Sequence, residues 1–303
     1  MGSETSLPPR IGLIAGFGRF PILFAKNARA RGIRVVAVGI RYEASPDLAH
    51  HVERFHWCGV ARVGRLIRLL KREEIDHAVM AGKVRKTWMF TPLRLIRLLP
   101  DLRTLRLWFH RAKDKKDDTL LGAVAEELAQ EGIRLESSLL YCEDLLASPG
   151  LLAGPSPGAR EADDIRFGWK IAKAMGGLDV GQSVAVKERA VLAVEAIEGT
   201  DDTILRAGAL CSGGFVLVKA GKPDQDRRFD VPAVGPTTIR AMKKAGGKVL
   251  AVEAGITLVL GVEETLDLAE REGITVVGVE DGGPDGEPVI AGATKKAEAK
   301  PEA

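Results

Sequence analysis

The sequence predicts two consecutive α/β domains, the first built on a doubly wound parallel sheet and the second mixed. Three observations carry that reading. In the first half, short continuous apolar runs alternate with amphipathic stretches, the pattern of buried parallel strands covered by helices on both faces. Residues 148–162 contain Ser-Pro-Gly and Gly-Pro-Ser-Pro-Gly and no periodicity, as a linker does. The length, 303 residues, exceeds what one core ordinarily holds.

Taken in order, residues 11–15, 35–40, 78–81 and 133–136 read as strands, and residues 20–31, 63–72 and 118–130 as helices. This gives a Rossmann-like N-terminal domain over residues 1–147. After the linker, residues 163–282 form the second domain. Its helices are expected at 164–175, from Asp201 or Asp202 onward, at 237–245 before Gly246-Gly247, and at 263–272. Its strands are expected at 183–187 and 190–197 around a Glu188-Arg189 turn, then at 214–219, 249–252, 257–260 and 274–279. Residues 283–303, rich in Gly, Pro, Ala, Lys and Glu, read as a disordered tail.

Composition excludes several classes. With 46% hydrophobic and 28% charged residues and a net charge of +3, the chain as a whole is an ordinary globular protein and no polyelectrolyte; a local basic patch could serve nucleic acid, a membrane surface or an acidic substrate, and of these nucleic acid is the partner not expected. Its positive charge is local, concentrated between Lys83 and Lys116. Within that region, residues 91–111 interleave arginines with leucines, which suits acyl chains beside anionic headgroups as well as an ordinary helical hairpin broken at Pro100. Cys58, Cys142 and Cys211 have no metal-binding spacing and read as thiols of a reducing compartment. The first nine residues lack an apolar signal core and no run is long enough to span a bilayer, so a cytoplasmic location is expected. The histidines stand in no Asp-x-His or Gly-Asn-His setting, and no Ser-His-Asp arrangement is evident. Attack by water is therefore favoured over a covalent intermediate.

In a doubly wound sheet, ligands bind beyond the carboxyl ends of the strands. Gly16-Phe17-Gly18-Arg19 follows the first strand, and Gly82-Lys83-Val84 follows the third. Glycines there let backbone amides approach a phosphate, and equally serve as plain turns. Pro21 falls where the third glycine of a dinucleotide fingerprint should be.

The densest chemistry lies in residues 219–238. Asp224, Asp226 and Asp230, with Lys222, Arg227, Arg228 and the Gln225 amide, share one loop framed by Gly and Pro. It leads into the helix start Gly235-Pro236-Thr237-Thr238. Amides at a helix N-terminus suit an anion, and clustered carboxylates suit a hard cation such as Mg²⁺. Together they are the inventory of metal-assisted phosphoryl chemistry, and a solvated, salt-bridged loop is the plainer alternative. Asp179-Val180-Gly181-Gln182 before one strand and Glu198-Gly199-Thr200-Asp201-Asp202 after another, with Lys187, add polar loops at strand ends.

Gly12-Leu13-Ile14-Ala15-Gly16, Ala81-Gly82-Lys83-Val84, Asp117-Asp118-Thr119-Leu120-Leu121, Asp179-Val180-Gly181-Gln182, the run from Glu195 to Asp201, and the stretch from Lys222-Pro223 to Gly235 occur in this order. The ordered set, spanning residues 11–281, resembles the LpxI-type UDP-2,3-diacylglucosamine pyrophosphatases. The resemblance implies a cytoplasmic hydrolase of lipid A biosynthesis that uses Mg²⁺ or Mn²⁺ and cuts UDP-2,3-diacylglucosamine into UMP and 2,3-diacylglucosamine 1-phosphate (lipid X). It implies Asp230, with Asp226 and Gln225, as catalytic residues, and Asp230 and Asp226 as metal ligands. For substrate binding it points to Gly16, Phe17, Gly18, Arg19, Gly82, Lys83, Val84 and Asp118 in the first domain. In the second it points to Gln182, Lys187, Glu198, Gly199, Thr200, Asp201, Lys222, Arg228 and Thr238. Peripheral contact with the inner membrane surface and a homodimer are further expectations. The competing reading is a nucleotide-binding regulator or a nicotinamide-dependent oxidoreductase that uses the first domain alone. UMP release from the UDP-sugar lipid separates the two.

Overall fold

A computed structural model describes residues 8–85, 99–110, 117–223, 226–229, 231–282 and 288–290, with the backbone alone for 108–110 and 117–119. The chain forms two compact units. The first holds residues up to Asp144 together with Asp226–Val231, and the second holds Leu145–Gln225 and the chain from Pro232 onward.

The first unit is built on a five-stranded, wholly parallel sheet of order β3-β2-β1-β4-β5. The strands are β1 (Arg10–Ala15), β2 (Arg34–Ile40), β3 (Arg54–Cys58), β4 (His77–Ala81) and β5 (Arg134–Leu135). Helices α1 (Phe20–Ala30), α2 (Val63–Arg72), α3 (Leu102–His110) and α4 (Asp117–Gln130) connect them. On one face Val63, Leu66, Ile67 and Leu70 of α2 and Ala125 and Leu128 of α4 pack on Val36, Val38 and Ile40 of β2. The β1-to-β2 crossover runs in the opposite lateral direction, so a right-handed connection puts α1 on the other face.

β3 was not among the expected elements. Phe55 and Trp57 alternate with His56 along it, an edge-strand pattern in a segment whose histidines and arginine read as surface. His56 Nε2 lies 2.8 Å from Glu73, which also pairs with Arg10 and Arg54. Burial works against the Glu73 carboxylate, yet the hydrogen bonds from His56 and Arg10 hold its pKa below the ordinary value.

The second unit carries a six-stranded mixed sheet of order β6-β13-β11-β9-β7-β8. Its strands are β6 (Gly150–Ala153), β7 (Ser183–Lys187), β8 (Ala190–Val194), β9 (Val216–Lys219), β11 (Val249–Glu253) and β13 (Thr275–Val279). A separate parallel pair joins β10 (Ala233–Val234) to β12 (Leu258–Val259). Alternation decides the two faces. Val216 and Val218 pack on Ile165, Trp169 and Ala172 of α5 (Ala159–Gly177). Leu217 faces the other side, toward α6 (Thr200–Leu210), α7 (Pro236–Ala245) and α8 (Val262–Arg271). Gly168 brings α5 close to the sheet, since a Cβ there would sit 2.8 Å from a Val218 methyl.

Two expectations need correcting. The linker 148–162 is not structureless: it contributes β6, antiparallel to β13, and the start of α5. Ser148 lies so close to Gly278 that any side chain at 278 would collide with its carbonyl. Proline and glycine there shape an edge strand rather than a tether. Within the expected tail, residues 288–290 are described: Val289 pairs with Glu280, and Ile290 packs on the core. Among the described residues no helix is long and apolar enough to cross a membrane.

Candidate functional site

In the first unit, β1 and β4 are neighbours whose outgoing connections diverge, β1 toward β2 and β4 toward β5. Such a switch point opens a ligand crevice at the carboxyl ends of the strands. Both glycine loops meet there. Gly16 N–H donates to Ala81 O at 2.8 Å, Phe17 N–H to Lys83 O at 2.6 Å, and Lys83 N–H to Phe17 O at 3.0 Å. A Cβ on Gly16 would lie 2.5 Å from Lys83 O, and one on Gly82, at φ 86°, would lie 2.7 Å from Phe17 O. These two glycines are therefore explained by loop-to-loop approach. Gly18, at φ 105°, has open space where a Cβ would be, in front of Arg19, the N-cap of α1.

Arg85 ties this rim together. Its guanidinium stands 4.4 Å from the Phe17 ring centroid, its Nε donates to Glu43 at 3.0 Å, and a terminal nitrogen donates to Tyr42 O at 2.9 Å. Tyr42 has φ 70°, a left-handed conformation that costs an aromatic residue ~1 kcal/mol. Neither Arg85 nor Tyr42 was expected from sequence. Val84 is exposed, and the side chain of Asp118 lies outside those described.

In the second unit a lysine ends the apolar strand β9 and is only 2% exposed. Lys219 Nζ reaches Ser183 Oγ at 3.0 Å, Thr200 Oγ1 at 2.9 Å and Glu195 at 3.3 Å, and the Thr200 hydroxyl donates to Glu195 at 2.8 Å. Thr200 thus belongs to a buried charged network at the carboxyl end of β9, opposite the start of β7. Nearby, Ala220 N–H donates to Gln182 O at 3.0 Å, Gly221 N–H donates to buried Glu253 at 2.7 Å, and Lys222 pairs with Asp179 at 2.8 Å. Three anchors thus fix the entry to the carboxylate-rich loop.

Other expected residues are engaged elsewhere. Lys187 Nζ donates to Gly213 O at 2.7 Å, and Glu198 pairs with Arg206 at 2.9 Å. Thr238 accepts Gly235 N–H at 3.3 Å as a cap of α7. Gly199, at φ 89°, is the N-cap of α6, and Asp201 lies exposed in its first turn.

The loop then joins the first unit. Ser138 N–H, Ser138 Oγ and Ser137 Oγ donate to Arg227 O at 2.8, 3.0 and 3.2 Å. Phe229, 4% exposed, enters the core beneath α2 and α4. Asp226 accepts Arg228 Nε and a terminal nitrogen, at 3.0 and 2.6 Å, and the Arg228 backbone N–H at 2.9 Å. Those bonds, the side-chain one foremost, hold the Asp226 carboxyl below its usual pKa. Asp224, Gln225 and Asp230 lie outside the described residues. Among the described residues no three His, Cys, Asp or Glu side chains cluster as a metal site.

In the basic segment, residues 99–110 are described. Leu102 is 78% exposed and Leu107 is buried. Arg103 is held by Glu127 at 2.7 Å and Glu131 at 2.6 Å, which makes it a bridge between α3 and α4.

Comparison with solved structures finds a phosphoribosylglycinamide synthetase from Anaerococcus prevotii at 15% identity and TM-score 0.24. It covers 64% of this chain and 34% of that one. The biotin carboxylase subunit of a pyruvate carboxylase matches at 12% identity and TM-score 0.26, covering 68% and 42%. Likeness at that level carries no argument. Sequence comparison does. The UDP-2,3-diacylglucosamine pyrophosphatase LpxI of Caulobacter vibrioides is 32% identical over 283 residues, covering 89% of this chain and 98% of the relative. The LpxI N-terminal domain matches residues 10–145 and the LpxI C-terminal domain residues 148–277, so the chain belongs to the LpxI family.

Proposed function

We propose that this protein is a UDP-2,3-diacylglucosamine pyrophosphatase of lipid A biosynthesis. Water attacks one phosphorus of the pyrophosphate and the bridging P–O bond breaks, releasing UMP and 2,3-diacylglucosamine 1-phosphate. The observation that carries this reading is the match to a pyrophosphatase through nearly its whole length, with both family domains in order.

Asp230, Asp226 and Gln225 are assigned to the reaction on the family resemblance. The donor chemistry fits a divalent cation such as Mg²⁺ or Mn²⁺, since Mg²⁺ is commonly held by one or two carboxylates, waters and the substrate's own phosphates. Asp226 and Asp230 would hold the ion, which would neutralise phosphate charge as the nucleophile approaches. Lys222 and Arg228 already face carboxylates, Asp179 and Asp226. A carboxylate that holds the ion or takes the proton of water orients the nucleophile, and Asp230 is assigned to that role.

The test is to incubate the purified chain with UDP-2,3-diacylglucosamine, with and without Mg²⁺ or a chelator. Equal release of UMP and the lipid phosphate, lost on chelation, is expected. Tight nucleotide binding without UMP favours a regulator, and hydride transfer favours the oxidoreductase.

The protein is further proposed to work in the cytoplasm and touch the inner membrane surface. Support comes from the arginine- and leucine-rich stretch 91–111 and the exposed Leu102. Charge reversal of Arg94, Arg97 and Arg106, sparing the structural Arg103, should abolish flotation with anionic liposomes. Unchanged flotation would refute the contact.

A further inference from the structure

We infer that Glu253, the last residue of β11, is a positioning residue for cleavage of the pyrophosphate. Its buried carboxylate fixes the chain at Gly221 and so aims Lys222, with Lys173 as its counterion. This rests on the pyrophosphatase reading above and on the part in substrate binding that the resemblance gives Lys222.

β9, β11 and β13 run parallel, so their carboxyl ends lie together, at the end of such a sheet where ligands bind. The last ladder pair between β9 and β11 is Lys219 with Val252. One residue on, Ala220 N–H turns to the other neighbour and donates to Gln182 O at 3.0 Å. Successive amides of a strand point to alternate neighbours, so Gly221 N–H falls on the β11 side. There the Glu253 carbonyl is turned to Thr257 N–H, at 3.0 Å, and the Glu253 side chain receives Gly221 instead. One carboxylate oxygen accepts Gly221 N–H at 2.7 Å, and the other accepts Lys173 Nζ at 2.7 Å.

Glu253 is 5% exposed. Lys173, from α5, also reaches Asp281, just past β13, at 3.3 Å, and stands 5.3 Å from the Trp169 ring centroid. A buried ion pair adds little stability over apolar side chains of the same volume. What this pair supplies is an anchor on one backbone amide, the one before Lys222. Lys222 is held from the helix side as well. A Cβ on Gly176, near the end of α5, would lie 3.2 Å from Lys222 Cα, and Asp179 beyond the helix holds the ammonium at 2.8 Å. Lys222 is thus placed before any substrate arrives, and stabilisation of charge on a transferring phosphoryl group depends on such placement.

The experiment measures UMP release from UDP-2,3-diacylglucosamine by Glu253→Ala, Glu253→Gln, Lys222→Ala and the double variant Glu253→Ala/Lys222→Ala, each checked for folding by circular dichroism. Glu253→Ala should lower kcat roughly tenfold to a hundredfold, the scale of misplacing a group by about 1 Å. Glu253→Gln, whose amide oxygen still accepts Gly221 N–H, should recover most of that loss. In the double variant Glu253→Ala should cost little beyond Lys222→Ala, because both act through one ammonium group. Amide hydrogen exchange in Glu253→Ala should quicken at Gly221 and Lys222 and stay unchanged in β7 and α7. The inference is overturned if folded Glu253→Ala keeps the native kcat, if the two losses multiply, or if exchange quickens throughout the second unit. Should Glu253→Ala fail to fold, Lys173→Met takes its place: a lowered kcat with local exchange supports the inference, and a native kcat overturns it. If the native chain releases UMP and Glu253→Ala matches it, only this inference fails. If the native chain releases none, the pyrophosphatase reading fails and takes this inference with it.

Discussion

Asp230 follows Phe229, whose ring is fixed in the core of the first unit, and precedes Val231-Pro232. The family resemblance assigns Asp230 to the reaction, as a carboxylate that holds the metal or takes the proton of water. Asp226, four residues earlier, is committed to Arg228 through its side chain and backbone. Of the loop's acids, Asp230 is therefore the one assigned that role. Asp230→Ala should lower kcat by about a hundredfold or more, the scale of losing a general base, while substrate still binds. Asp224→Ala should be mild. Near-normal turnover in Asp230→Ala, or lost binding at an unchanged kcat, would remove Asp230 from the reaction. Lys219 illustrates the opposite case. Its ammonium is bonded to Ser183, Thr200 and Glu195 inside the protein, so it orders the Glu195–Asp201 stretch without an open face for substrate.

At the scale of elements, periodicity made most of the fold legible. α2 spans the expected residues 63–72, β7 the expected 183–187, and the Glu188-Arg189 turn has both residues at positive φ. Those segments are decided by their own apolar pattern. β3 escaped because Arg54 and His56 break the apolar run, and only pairing with β2 makes it a strand. β6 escaped because its neighbours are turn residues, and its partner β13 lies more than a hundred positions away. The same limit applied to side chains. The glycine loops after β1 and β4 could be placed at strand ends, and the sheet order makes them neighbours. No local pattern could show that Arg85 would bind Glu43 and Phe17, that Arg103 would bridge to Glu127 and Glu131, or that Ser138 would hold Arg227. Each joins residues far apart in the chain, and a single sequence carries no record of such contacts. A lysine closing the all-apolar run Val216–Lys219 was the one visible sign of the buried network.

For the whole molecule, the order of the chain and the division into compact units disagree at one place. Residues 226–231 lie within the stretch that matches the C-terminal domain, 148–277, yet they pack in the first unit. Phe229 shares a core with Ile67, Leu70 and Leu128, and Arg227 O accepts the bonds from Ser137 and Ser138. Burying a phenylalanine this fully contributes an amount that its removal reveals, typically about 3 kcal/mol or more, a large share of a domain's stability. A fragment ending at residue 147 contains every strand and helix of the first unit but lacks that ring. It should melt several degrees below the first unit in the intact chain and bind a hydrophobic dye that the intact chain excludes. A peptide covering residues 222–235, added in trans, should raise the melting temperature, and the same peptide carrying Phe229→Ala should not. Phe229→Leu in the full chain, which keeps most of the buried volume, should cost less than Phe229→Ala. If the fragment melts as the intact first unit does and ignores the peptide, Phe229 is not part of what holds that core together.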